Sequence, residues 1–320
     1  IEGFDALIGA APYVEMTGVL RGGRFTLQSG VIQGAGLDAD MNGRIADNGA
    51  VTGAATGRLS RPVEISGVYF RRAAFAADIT GTTDAPHVVA QLSDGALQVA
   101  GVDVTDVSGR TTLSVGETIS GDFALAGDML GQRLRTSGRI ASDDGDVSIA
   151  GLVAELGQLK AEATRLAFGE SGVSATFTAA GPLAGLSGIE RGALTLNGSV
   201  NVGETINADV TGRISDLRSG AARIEVISFT GKARDDEAEL KATVRGRVAA
   251  PIVLDLGIKG RRADDAWAGD ATLNGEIDGL KVATSRPATW TAGPDGWSVD
   301  SAFSAFDGTL DAKASSTAMA

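Results

Sequence analysis

"GRTTLSVGETISGDFALAG" (Gly109 to Gly127) and "ALTLNGSVNVGETINADVTGRI" (Ala193 to Ile214) carry the same pentapeptide, Val-Gly-Glu-Thr-Ile, at the centre of the same rhythm. Around the first copy Leu113, Val115, Ile119, Phe123 and Leu125 all fall at odd positions. Around the second Leu194, Leu196, Val200, Val202, Ile206, Val210 and Ile214 all fall at even ones. A period of two is that of a strand with one buried face. Parity then constrains the loop. A two-residue Gly-Glu loop would pair Val115 with Thr118 and throw Ile119 to the opposite face, whereas an odd loop pairs Val115 with Ile119 and keeps every apolar side chain on one side. The stretch therefore predicts a hairpin closed by an odd loop.

The alternation recurs along the chain. It appears in "RFTLQSGVI" (Phe25, Leu27, Val31), "GRLSRPVEISGVYF" (Leu59, Val63, Ile65, Tyr69) and "ELKATVRGRV" (Leu240, Val244, Val248). It continues in "IVLDLGI" (Ile252, Leu254, Leu256, Ile258) and "WSVDSAF" (Trp297, Val299, Phe303). Turn signals stand between the runs: "DNG" (Asp47 to Gly49), "SDDGD" (Ser142 to Asp146), "GPDG" (Gly293 to Gly296) and "FDG" (Phe306 to Gly308). A second word, Gly-Arg followed by Ile, Leu or Val, begins at Gly43, Gly57, Gly138, Gly212 and Gly246. Its irregular intervals describe a hairpin of variable length and not a strict solenoid repeat.

One segment departs from the period. In "GLVAELGQLKAEATRLAFG" the residues Leu152, Leu156, Leu159, Ala163 and Leu166 are spaced four, three, four, three, which is helical. Gly157 inside such a helix would cost about 1 kcal/mol relative to Ala. Strand patterns flank it on both sides, so strand is the first expectation and a short helix near 152–166 the alternative. No Pro- or Ser-rich linker divides the chain, although "GTTDAPH" and "AAGPLAGLSG" are loop-like. The expected architecture is all-β: one continuous antiparallel sheet of repeated hairpins over residues 1–320. At roughly 10 to 12 residues per strand and turn it would hold about 25 to 30 strands.

Composition narrows the chemistry. The 28 Lys plus Arg against 40 Asp plus Glu give a formal charge of −12, with no basic stripe, so nucleic acid is not an expected partner. Glycine, at 45 residues, outnumbers the aromatics, while the apolar fraction of 43% is that of a folded chain rich in turns and poor in bulky core filler. With no cysteine there is no disulfide, zinc-thiolate site or cysteine nucleophile. No apolar run approaches the roughly 18 residues of a membrane span. The chain opens at Ile1 and closes on "KASSTAMA" just after a strand-like stretch, which reads as a piece of something longer.

Candidate reactive groups are sparse. The single histidine, His87 in "DAPHVVAQL", follows a turn proline at a strand start and reads as a surface or sheet-edge residue. No nucleophile elbow, phosphate-binding loop or His-Glu-x-x-His motif is present, and "GAG" at Gly34 to Gly36 lacks the third glycine of a dinucleotide fingerprint. The acidic clusters "SDDGD" and "RDDEAE" (Arg234 to Glu239) lack EF-hand spacing and read as solvated hairpin tips. Trp290 and Trp297 flank the "GPDG" turn and are expected to pack across a hairpin; Trp267 stands apart. These residues point to no enzyme and no cofactor.

The remaining signal is distributed: one face of a long sheet is apolar and the other polar, acidic and rich in Gly, Ser and Thr. The apolar face must be covered by a second sheet, by closure into a barrel or solenoid, or by something that is not protein. Many inward positions hold Ala, Gly or Val where a filled core wants large interlocking side chains, which argues for an open trough. Its predicted lining is Leu113, Val115, Ile119, Phe123, Leu125, Leu194, Leu196, Val200, Ile206, Val210 and Ile214.

The stretch "GTTDAPHVVAQLSDGALQVAGVDVTDVSGRTTLSVGETISGDFALAG" (Gly81 to Gly127) resembles the repeating core of the TamB family. So do "FDALIGAAPYVEMTGVLRGGRFTLQSGVIQGAGLDADMNGRI" (Phe4 to Ile45) and "GIERGALTLNGSVNVGETINADVTGRI", most like alphaproteobacterial members. The motifs are short and degenerate, and the related AsmA and YdbH families share them. The resemblance implies a sheet curled into an elongated groove, a β-taco with an apolar interior. It further implies a periplasmic protein tethered to the inner membrane that carries phospholipid acyl chains between the inner and outer membranes. An outer-membrane partner of the BamA type, TamA, is implied as well. The family's anchor helix and partner-binding domain have no counterpart in these residues. The rivals are a β-helical surface adhesin or autotransporter passenger, a β-helical enzyme, and a structural periplasmic spacer.

Overall fold

The computed structural model describes residues 7–317 except 10, 66, 67, 100, 144, 145, 170, 171, 187, 204, 264, 265, 294, 295, 306 and 307. The chain divides into two compact units, Ile1–Gly157 and Gln158–Ala320. The first holds β1 (Tyr13–Arg21), β2 (Arg24–Gln33), β3 (Leu37–Ile45), β4 (Ala50–Leu59), β5 (Val63–Ile65), β6 (Val68–Thr82), β7 (Pro86–Val99), β8 (Val102–Val115), β9 (Ile119–Met129), β10 (Gln132–Asp143) and β11 (Asp146–Leu156). The second holds β12 (Leu159–Gly169), β13 (Gly172–Pro182), β14 (Arg191–Val202), β15 (Ile206–Ser219), β16 (Ala222–Arg234), β17 (Glu237–Arg247), β18 (Pro251–Ala263), β19 (Ala266–Ile277), β20 (Leu280–Gly293), β21 (Gly296–Ala305) and β22 (Gly308–Thr317).

The described strands are fewer and longer than expected, up to the 15 residues of β6. Each unit is a meander in which strands adjacent in sequence pair antiparallel; the exception is β6, whose first residues pair with β5 and whose later ones pair with β4. All 22 strands belong to one antiparallel sheet; among the described residues β1 pairs within its unit with β2 alone, and β22 with β21 alone, so the strands of neither unit close into a barrel.

Loop parity follows the sequence pattern. Val115 lies opposite Ile119 and Val202 opposite Ile206, so both pentapeptides close three-residue loops. In each the first glycine N–H, Gly116 or Gly203, donates to the carbonyl of Thr118 or Thr205 at 3.0 Å. Some other turns are two residues, both with positive φ, as at Leu130 (51°) and Gly131 (74°) or Asp278 (52°) and Gly279 (79°), whose twist matches that of the flanking strands. The helical alternative near 152–166 is not adopted. β11 ends at Leu156, β12 starts at Leu159, and Gly157 between them takes φ 60° in a turn. The helical spacing arises because Leu156 and Leu159 end and begin strands on either side of that turn.

Other expectations of facing are corrected by bulges and strand ends. A register shift between Leu27 and Gly30 puts Ile32, not Val31, on the face of Leu27. Val63 is opposite Phe70, so Tyr69 points the other way and is exposed. Val248 lies beyond the end of β17 and is exposed as well. The "SDDGD", "GPDG" and "FDG" turns fall partly outside the described residues.

The buried hydrophobic residues are few and mostly small, and most of them adjoin register shifts, Ala39 and Val63 being exceptions. In the first unit Val104 and Val107 flank the shift between Thr105 and Ser108. In the second Ala163 adjoins the shift to Arg165, Ile224 the shift to Val226, and Ala288 and Ala302 the double shift around Arg286. An extra residue bends its strand and lets the apolar side change parity. Val104 and Val107 are thus three apart, as are Ile214 and Leu217. Asp94, Asp106 and Asp216 take positive φ within these bulged regions, a conformation Asp tolerates better than most residues. Arg72 pairs with Asp94 at 3.1 Å and Arg191 with Asp216 at 3.8 Å. We call this line in each unit the crease, and the straight strand segments beside it the arms.

Candidate functional site

Directly opposed residues of an antiparallel pair share a face, so the register carries facing from strand to strand. In the first unit Leu113, Val115, Ile119, Phe123 and Leu125 lie together on one face of β8 and β9. That face continues through Val88, Ala90 and Leu92 of β7 to Phe75, Ala77 and Ile79 of β6, then to Ala55 and Gly57 of β4 and Ala39 and Met41 of β3. On the other side it reaches Leu134 and Ile140 of β10 and Ile149 and Leu156 of β11.

In the second unit Leu194, Leu196, Val200, Ile206, Val210 and Ile214 share a face of β14 and β15. The row extends to Phe177 of β13, Ile227 and Phe229 of β16, Leu240 and Val244 of β17, and Leu254, Leu256 and Ile258 of β18. Every predicted lining residue therefore lies on this shared face of its own unit, called inward below. Burial of the larger apolar side chains is incomplete: Ile119 is 38% exposed at its loop, Phe25 37% and Leu20 73%. No large side chain among the described residues is fully buried.

The glycines within strands form part of this surface. Gly57 is opposite Phe75, and a Cβ on it would stand 2.5 Å from the ring. Gly138 is likewise opposite Phe123, Gly198 opposite Phe177 and Gly212 opposite Phe229, with the ring 3.1, 2.9 and 2.2 Å from where a Cβ would stand. Each ring lies across the bare backbone of the neighbouring strand instead of standing up from the sheet. The result is an apolar face with little relief. Three of the five Gly-Arg-apolar words are these sites: glycine beneath a ring, arginine outward, the next apolar residue inward. The word was visible in the sequence, but its partner phenylalanine lies on another strand at no fixed interval.

The outward face is polar and paired across strands. Its main row in the second unit runs Asp209, Lys232, Glu239, Lys259, Asp270, with alternating sign. Arg234 bonds Asp209 at this face, Lys241 pairs with Glu239 at 3.1 Å, and Lys313 with Asp300 at 2.9 Å. The Arg234 hydrogen bond holds the Asp209 carboxyl below the usual carboxylate range, Lys241 does the same for Glu239, and Lys313 then Arg286 for Asp300. Exposed pairs contribute little each, about 0 to 1 kcal/mol, and serve mainly to fix pairing. Asp236 and Glu237 of the "RDDEAE" tip are both held by Arg261. His87 is exposed, with Nδ1 3.4 Å from Ser114 Oγ.

Two hollows in the second unit differ in character. The larger, about 620 Å³, lies on the outward face among Thr195, Asn197, Thr211, Thr230, Thr243 and Asn274, the lining of a hydrated surface. The smaller, about 340 Å³, lies on the inward face among Val210, Gly231, Leu240, Ile258, Trp267 and Trp290. The walls of the second are mainly apolar, with Lys232 and Glu239 as its charged members. Among the described residues no helix is long and apolar enough to cross a membrane. No protein-family model matches the sequence, and no curated protein matches it.

Proposed function

We propose that the inward faces are troughs for phospholipid acyl chains, and that the protein is a non-enzymatic, bridge-like phospholipid carrier of the periplasm. On this reading it serves outer-membrane biogenesis between the inner and outer membranes, as the resemblance to TamB implies. The observation that carries the proposal is the uncovered apolar face: apolar side chains follow one another from strand to strand, yet few of them are buried, and most of those lie at the crease. Moving an acyl chain through water costs about 0.8 kcal/mol per CH₂, so two chains of roughly sixteen carbons face on the order of 25 kcal/mol. A trough removes much of that cost. Rings laid over glycine give uniform contacts without deep notches, which suits sliding better than fixed binding. Headgroups would ride at the open side in water. The inner-membrane tether and a TamA-like outer-membrane partner belong to the same proposal and would act through segments beyond these residues.

The β-helix rivals require stacked parallel strands, and every strand pairing described here is antiparallel. A spacer whose apolar face meets only protein is the remaining alternative. Native mass spectrometry with lipid extraction, on the chain purified from a bacterial periplasm, separates the two. Several phospholipids per chain are expected; a lipid-free, stable chain that ignores added phospholipid would overturn the carrier reading in favour of the spacer.

A further inference from the structure

The outward face of the second unit is not uniformly charged. Beside the row of alternating sign from Asp209 to Asp270 run two rows of another kind. One passes through Thr195, Arg213, Ser228, Thr243, Asp255 and Asn274, each directly opposite the next on β14 to β19. The other holds Asn197, Thr211 and Thr230 and, past Lys241 and Gly257, Thr272. Both line the hollow of about 620 Å³.

The surface dips toward its middle. Ser228, Thr243 and Gly257 are half-buried there, whereas Thr195, Asn197, Thr211 and Asn274 around them are exposed. Gly257 contributes no side chain, so the floor at that point is bare backbone. Thr243 Oγ1 donates to Asp255 Oδ1 at 2.7 Å, which orients the carboxylate and leaves its other oxygen to accept. Lys241 is turned toward the charged row, where it pairs with Glu239 at 3.1 Å. Arg213, opposite Thr195 and Ser228, adds a planar fork of donors.

The groups on offer are hydroxyls, planar amides, one guanidinium and one carboxylate, repeated from strand to strand. Planar groups that hydrogen-bond in pairs match adjacent hydroxyls of a sugar ring, each of which donates and accepts. The spacing adds a direction. The rows repeat with the roughly 4.8 Å between strands, close to the length of one sugar in an extended β-1,4-linked chain, and the six strands span about 24 Å.

We infer that this hollow holds a β-1,4-linked glycan strand laid across β14 to β19, with Arg213 and Asp255 binding sugars three strands apart. The inference goes beyond the trough reading and does not depend on it, since the two sites lie on opposite faces of the sheet.

The whole chain would be titrated calorimetrically with cellohexaose, with cellobiose, and with maltohexaose, which has the same sugar in an α-1,4 linkage that curls away from a straight row. Cellohexaose should bind about tenfold more tightly than cellobiose, because it meets more of the row, and far more tightly than maltohexaose. Arg213→Gln and Asp255→Ala should each weaken cellohexaose about tenfold, the loss of hydrogen bonds to a charged group, and should leave phospholipid co-extraction unchanged. The same titration with the hexamer of β-1,4-linked N-acetylglucosamine separates two sources of such strands: tighter binding than cellohexaose points to an amino-sugar cell wall, weaker binding to a plain polysaccharide. If neither β-linked hexamer binds, if maltohexaose binds as well as cellohexaose, or if both variants keep the affinity of the wild type, the glycan site is overturned whatever the lipid result. A lipid-free chain that still binds a β-linked hexamer would refute the trough and spare the glycan site.

Discussion

The crease and the arms of these sheets divide labour in a way opposite to a globular core. At the crease the residues are mostly small and buried: Val107 is 4% exposed, Ala302 4% and Ala288 5%. On the arms the residues are large and part-exposed, and the rings lie flat over glycine. In a compact domain the largest apolar side chains are usually the most buried. Here tight protein packing is concentrated where strands bend, and the larger apolar surface is left beside it. Stability and surface chemistry should consequently respond to different substitutions.

Val107→Asp should be the most damaging change, because it buries an uncompensated charge at the crease. Thermal and urea unfolding should show a loss of more than about 3 kcal/mol in the first unit. A loss below 1 kcal/mol would mean the crease is not the core. Gly212→Ala on an arm should cost less, about 1 to 3 kcal/mol, by lifting the Phe229 ring from the backbone. The double variant Gly212→Ala/Phe229→Leu should regain part of this; no recovery would detach the cost from the ring. Ile206→Asp, at a wet loop end, should leave stability within about 1 kcal/mol while sharply reducing co-purified phospholipid, with Thr195→Asp on the outward face nearly silent in both assays. Equal lipid loss from the two would refute the division into faces.

The smallest effect concerns acid. Lys313 and Arg286 keep the Asp300 carboxyl below its ordinary value, so its folded pKa is lower than its unfolded one. That contribution is present at neutral pH and is lost as pH falls through the lowered folded value, from about pH 5 downward. Denaturation midpoints measured across this range should show a small acid-side loss that Asp300→Asn removes. An unchanged loss in the variant would assign it to other carboxylates.

The arms were largely legible in the sequence. Period two and loop parity placed Leu113 to Leu125 and Leu194 to Ile214 on their faces, because facing within a hairpin is local. The crease was not legible. Val31, Tyr69 and Val248 were misplaced, since a bulge or a strand end changes facing without leaving a distinctive residue; Asp94, Asp106 and Asp216 look like any other outward Asp. The ring-over-glycine pairs were hidden for another reason. Gly57 and Phe75 meet only because register brings β4 to β6, and register is a property of two strands. The helical rhythm of Leu152 to Leu166 failed similarly, since a turn between two strands can imitate a spacing of three and four.

The alternating outward row from Asp209 to Asp270 has a further consequence. Strands that repeat one apolar pattern could slide by two residues and still present an apolar face. Such a slip between β17 and β18 would, in one direction, set Lys241 against Lys259 instead of Glu239. The solvent side thus carries the address of each strand, while the apolar side is free of that duty. Residues of the apolar face can drift without scrambling the order of the sheet, which makes the two faces separately evolvable.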